Sequence, residues 1–210
     1  MTGTFAAVWS VGAPAKVVLE RNREAAPAPL RLAHRQARHE LALLCSLILA
    51  NPASATTLAK LVDSDVERPE GALVLGVLLN LADYEEGARF WWEFAAGGGS
   101  HLAASCLWFW HQSRGEPRDA QFWRFQAEGL ARQPQPQWRM PSSDRPLVPR
   151  SVRADILARC RQGLAPRLPA RMAAVLKSLP ADDDRGDWPE VPHWSPDVVC
   201  HLKAAAAEGR

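Results

Sequence analysis

The chain repeats itself between Gly71 and Glu128. Ala88-Arg89-Phe90-Trp91-Trp92 recurs as Ala120-Gln121-Phe122-Trp123-Arg124, Leu75 as Leu107 and Ala72 as Ala104, each pair 32 positions apart. A fixed period of this size marks stacked helix-turn-helix units. It constrains the fold more than any other feature, because such a unit cannot hide its own apolar face and must stack on a neighbour. Gly71 to Leu81 is apolar nearly all round, so it reads as a helix buried on several sides. It is too short to span a bilayer, which takes about 20 apolar residues. Glu86 to Ala96 reads as its partner helix, with alanines between Phe90, Trp91, Trp92 and Phe94. Small residues let two helices approach while the rings fill the space around them. Trp91 and Trp123 are expected as core rings. Gly97-Gly98-Gly99 stops the helix and Ser100 is placed to cap the next. That next unit comprises His101 to Ser113, a turn at Arg114-Gly115-Glu116-Pro117, and Arg118 to Leu130.

These residues resemble the Sel1-like repeat, a branch of the tetratricopeptide-like helical repeats. Its pattern, roughly A-x-x-W-Y-x-x-A-A-x-x-G-x-x-x-A-x-x-x-L-G, is matched without a gap by Ala88, Trp91, Trp92, Ala95, Ala96, Gly99, Ala103 and Leu107. Leu75-Gly76 with Leu78 and Leu79 is similar to the preceding first helix, and Ala120, Trp123 and Ala127 to a further second helix. The resemblance covers about a third of the chain. Trp92 and Arg124 stand where the family often has tyrosine, Trp108 where it has glycine, and the Ala82 to Glu86 loop is shorter than usual. The resemblance implies an all-α fold: a short right-handed α-solenoid with extra C-terminal helices. It also implies a scaffold for complexes, often in bacterial signalling or regulation, with the first helices lining a concave face.

Around the repeats the chain divides into a flexible N-terminal arm (1–29), the repeat domain (30–132), a Pro-rich strap (133–150) and a C-terminal extension (151–210). The arm ends in Ala25-Ala26-Pro27-Ala28-Pro29 and carries Trp9, which either packs back or anchors a partner. Leu30 to Ala50 reads as a helix with Arg31, His34, Arg35, Arg38 and His39 at helical spacing. Asn51-Pro52 breaks it, and Ala53 to Val62 follows as a second helix. This pair occupies the place of a degenerate repeat, since Leu43 lies 32 positions before Leu75. Pro69 suits the first turn of the next helix. In the extension, Val152 to Gly163 and Pro169 to Leu179 form a basic helical pair. An acidic stretch with Trp188 and Trp194 follows, then a last helix from Pro196 to about Ala207.

A formal net charge of +2 hides blocks of +4 (1–39), −6 (40–131), +8 (132–178) and −4 (179–210). An acidic repeat region beside a basic segment suggests docking of the second on the first, or two surfaces with different partners. Arginine far outnumbers lysine, which with abundant alanine reads as a GC-rich bacterial genome. Cys45, Cys106, Cys160 and Cys200 are widely separated, without zinc-type spacing, and read as buried apolar thiols. No basic leader precedes an apolar run, so the cytoplasm is expected, with no membrane partner.

No catalytic constellation emerges, and no cofactor or metal is expected. The triple glycine follows a helix rather than a strand, so it is no phosphate loop. Cys200 and His201 are adjacent on a helix and diverge by about 100°. Asp182, Asp183, Asp184 and Asp187 miss the calcium-loop pattern. The favoured reading is a non-catalytic adaptor that binds a protein or peptide in a helical groove, with Leu73, Asn80, Trp108, Trp110 and His111 as contact residues. The alternative is a nucleic-acid-binding transcriptional accessory protein using the 145–177 segment through Arg150, Arg153, Arg159, Arg161, Arg167 and Arg171. Against the alternative, these arginines are not confined to one helical face and no aromatics lie between them.

Overall fold

The computed structural model describes residues 28–61, 69–134, 147–179 and 197–207. Residues 28 and 29 of the N-terminal arm already belong to the first helix, while most of the arm, with Trp9, most of the Pro-rich strap, and the acidic stretch with Trp188 and Trp194 lie outside the described residues. Those residues form nine helices and no strand: α1 (Ala28–Ala50), α2 (Ser54–Lys60), α3 (Pro69–Leu81), α4 (Glu85–Gly97), α5 (His101–Arg114), α6 (Pro117–Ala131), α7 (Arg150–Arg161), α8 (Ala170–Lys177) and α9 (Asp197–Ala207). The fold is all-α.

The uniform apolarity of α3 explains its position. Every residue from Gly71 to Leu79 is buried, and α1, α2, α4 and α8 surround it. Two glycines allow the close approach. A Cβ on Gly71 would lie 2.6 Å from the Thr57 carbonyl oxygen of α2, and one on Gly76 would lie 2.6 Å from Cδ1 of Trp92 on α4. The core ring of α4 is therefore Trp92, which is wholly buried, and not Trp91, which is half-buried at the edge. Trp123 of α6 is likewise half-buried, and only Ala120 and Ala127 of that helix are fully covered.

Helix ends follow their local chemistry. The Ser100 hydroxyl accepts a hydrogen bond from the Ala103 amide and caps α5. Gly99 and Gly115 take the left-handed conformation that closes α4 and α5 (φ 95° and 78°). Helices α1 and α2 meet at an 84° bend. There the Ser54 hydroxyl donates to the Ile48 carbonyl (2.7 Å), and Arg153 of α7 donates to the Ala50 carbonyl (3.3 Å). The Ile48 carbonyl also accepts from the Asn51 amide (3.2 Å), while Arg153 serves a carbonyl that the end of α1 would otherwise leave open.

Consecutive helices pack from α2 through α6, but α1 does not stay within the first unit. It lies against α3 and, more extensively, against α5. In a linear stack each unit touches only its neighbours, so α1 departs from that scheme by spanning two units. The C-terminal third packs back on the body. Leu147 and Val148 are buried, α7 lies on α1, α8 on α3, and α9 on α8 and α2. The Leu168 amide donates to the Leu81 carbonyl (3.0 Å) at the end of α3. Among the described residues, no single helix is long and apolar enough to cross a membrane.

Candidate functional site

A cleft of about 690 Å³ opens where the basic half of α1 faces the α3–α4 turn, the end of α5 and the α7–α8 turn. Its floor is built around Arg114. This guanidinium lies 4.4 Å from the centroid of the Trp110 ring and donates to Glu85 at the start of α4 (2.8 Å) and to Glu116 at the cap of α6 (3.3 Å). One mostly buried cation thus ties three helices together. The α3–α4 turn is shaped by Asp83, which takes a left-handed conformation (φ 61°) and pairs with Arg167 at 3.4 Å. Both carboxylates lining the cleft, Asp83 and Glu85, are therefore already matched. The cationic side chains Arg35, Arg38 and Arg161 line it as well. Arg35 and Arg161 are exposed, with no ion pair or hydrogen bond to any described residue. An exposed leucine stands on each lip, Leu32 on α1 (65% exposed) and Leu164 on the α7–α8 turn (50% exposed).

Of the five residues expected to contact a partner, two line this cleft, Asn80 and Trp110. Trp110 is only 5% exposed and belongs to the core, so it offers an edge beneath Arg114 rather than a free ring. Leu73 is wholly buried in the centre of α3 and cannot touch a partner, because α3 is enclosed on all sides. His111 is also buried. Its Nδ1 lies 2.7 Å from Glu116 Oε2, and its Nε2 has no hydrogen-bond partner among the described residues. Trp108 is half-buried elsewhere, stacked on Phe109 and faced by Arg124 at 5.5 Å. Sequence reading missed Arg114 and Leu164 as site residues, and named Arg161 only for the nucleic-acid alternative. The run Arg31, His34, Arg35, Arg38, His39 did carry a signal, a basic helical face with a single acidic neighbour in Glu40.

Four of the six arginines of the alternative reading are engaged within the chain. Arg153 is half-buried and holds the end of α1, Arg159 donates to the Ala165 carbonyl (3.0 Å), and Arg167 pairs with Asp83. Arg171 is also engaged. Arg150 and Arg161 remain exposed without such partners among the described residues.

Two other clusters carry chemistry. His111, Glu116 and Asp119 each present a ligand atom within 4.8 Å of one another, a set able to hold a divalent ion. Each has a simpler role, however. Glu116 stands at the N-cap position of α6 and binds Arg114, Asp119 lies in the first turn of α6, and His111 lies in the last turn of α5. Separately, Cys45, Cys106 and Cys160 bring α1, α5 and α7 together in the core. Burial, reinforced by the hydrogen bond and charge of Cys45, raises the Cys106 thiol well above the ordinary range. Burial raises Cys160 too, opposed by a hydrogen bond from Ser46. Such thiols stay protonated and unreactive. No protein-family model matches this chain, and no curated protein or solved structure matches it.

Proposed function

We propose that this chain is a non-catalytic adaptor of bacterial regulation, built on Sel1-like helical repeats, that holds a segment of another protein in the cleft between α1 and the α7–α8 turn. The observation that carries the reading is the cleft itself. At about 690 Å³ it falls in the range of clefts that bind ligands, and it combines an apolar floor, charged walls and apolar lips. Its polar groups are arranged for contact rather than for chemistry. Two of its charged groups, Arg114 and Glu85, are engaged with one another. The cytoplasm fits this reading, since the four cysteines are free and three of them lie in the core.

The experiment is affinity capture from native extract, with and without nuclease, using the wild type and a Leu32→Asp/Leu164→Asp variant. Both leucines are exposed, so the variant keeps its fold. A protein that resists nuclease and is lost with the variant supports the reading. Recovery of nucleic acid alone, lost steeply with salt, overturns it and transfers the function to the arginine segment.

A further inference from the structure

We infer that the occupant of the cleft is an acidic peptide segment with large apolar side chains set among its carboxylates. This inference rests on the adaptor reading and assigns the partner's chemistry. The charges of the cleft do not balance. Asp83 and Glu85 each already pair with a cation of the chain, Arg167 and Arg114. Arg35 and Arg161 face each other's walls of the same cleft with no carboxylate of their own among the described residues. A guanidinium presents a planar fork that matches a carboxylate with two parallel hydrogen bonds. A cleft lined by unmatched forks therefore favours an anionic occupant and repels a basic one.

Charge alone would equally suit a phosphate chain, and the apolar lips decide between them. Leu32 and Leu164 stand exposed on opposite walls, above a floor that includes Leu41 and Ala42. Isolated exposed leucines need no explanation, but a facing pair flanking an ionic cleft gives an apolar side chain two surfaces to cover. A nucleic-acid strand would instead call for large aromatic rings open for base stacking; the one Trp, Tyr or Phe that lines the cleft, Trp110, is covered by Arg114, and the His39 imidazole is half-buried. Asn80 and Gln162 add carboxamides at the cleft wall that match main-chain groups of an extended peptide.

The test is fluorescence anisotropy of the full chain with labelled synthetic peptides of equal length. One alternates Glu with Leu and Phe, a second replaces Glu by Lys, and a third keeps Glu but replaces the apolar residues by Ser. A single-stranded oligonucleotide is the fourth probe. The first peptide is expected to bind most tightly and to weaken as salt rises. The Arg35→Glu/Arg161→Glu variant, with an unchanged melting temperature, should weaken it on the order of tenfold and improve binding of the Lys peptide. Equal binding of the Glu and Lys peptides overturns the inference, as does tighter binding of the oligonucleotide. Loss of apolar selectivity, with the Ser peptide binding as well as the first, also overturns it. If no peptide binds but the Leu32→Asp/Leu164→Asp change still abolishes partner capture, the acidic assignment falls and the adaptor stands. If that change leaves capture intact, the adaptor reading itself falls.

Discussion

Gly76 and Trp92 are one exchangeable contact. Thirty-two positions later the same two places hold Trp108 and Arg124. In the first unit the large ring of α4 lies against the glycine of α3, closer than a Cβ would allow. In the second the large ring is on α5 and the guanidinium of α6 faces it at 5.5 Å. The bulk at this pair of places thus lies on α4 in one case and on α5 in the other. Gly76→Ala should destabilise by about 1–3 kcal/mol, because the indole must shift within a filled core. Trp92→Ala should cost about 3–5 kcal/mol, clearly more than Trp91→Ala. Urea midpoints measure both, and equal costs for the two tryptophans would show that the half-buried ring carries as much packing. This distinction was legible in part. Ala88, Ala95 and Ala96 define the inner face of α4, and Trp92 lies on it, four positions after Ala88. Adjacent residues differ by about 100° around a helix, so reading the aromatic pair as a unit loses which ring points inward. Trp110 was misjudged for a related reason. Its exposure is set by Arg114, whose carboxylate partners come from two other helices. Trp110→Ala is therefore expected to lower the melting temperature, not to leave it unchanged.

Among elements, ends were more legible than neighbours. Ser100, the glycines at 97–99, Gly115 and Pro69 each act through their own residue chemistry, and the helices start and stop where those residues stand. Ser100→Ala should accordingly cost about 1 kcal/mol, read as a shift in the denaturation midpoint, because the Ala103 amide loses its acceptor. Which helix lies beside which is another matter. The placement of α1 across both α3 and α5 depends on the summed apolar surface of several elements, and a period of 32 says nothing about a helix that lies outside it. The cleft was hidden for the same reason. Its walls are the basic half of α1 and the α7–α8 turn, more than a hundred positions apart. Arg114 is the one residue that couples the α4, α5 and α6 ends that meet at this cleft. Arg114→Lys keeps the charge but loses the fork that reaches Glu85 and Glu116. A double-mutant cycle of Arg114→Lys with Glu85→Gln is expected to give a coupling of about 0.5–1 kcal/mol, modest because Glu85 is half exposed. Zero coupling would mean that the fork does not hold the α4 end in place.

At the scale of the whole molecule, the sequence blocks of opposite charge suggest electrostatic docking of the basic segment on the acidic one. The contacts themselves are mainly apolar: Ile156, Leu168, Met172 and Leu176 are buried, while Arg167 and Asp83 form an exposed ion pair at the rim. Apolar burial scales with area and is indifferent to salt at these concentrations, so the C-terminal helices should stay docked as ionic strength rises. The thiols report on this assembly, since Cys45, Cys106 and Cys160 come from α1, α5 and α7 and meet only when all three helices are packed. Cys200 on α9 is exposed. A thiol reagent should therefore modify Cys200 in the native protein and reach the other three only on unfolding. The raised Cys106 and Cys160 thiols add a dependence on pH. Above the ordinary thiol range the unfolded chain releases these protons while the folded chain keeps them, so the unfolded state binds fewer protons and stability falls as pH climbs. Below that range both states are protonated and the thiols contribute no slope. Thermal melts across the alkaline range should show a decline that is shallower in Cys106→Ala than in the wild type, after allowance for the smaller core residue at neutral pH. Parallel curves would mean that Cys106 ionises as readily in the folded chain as in the unfolded one, and that the α1–α5 contact is open to water.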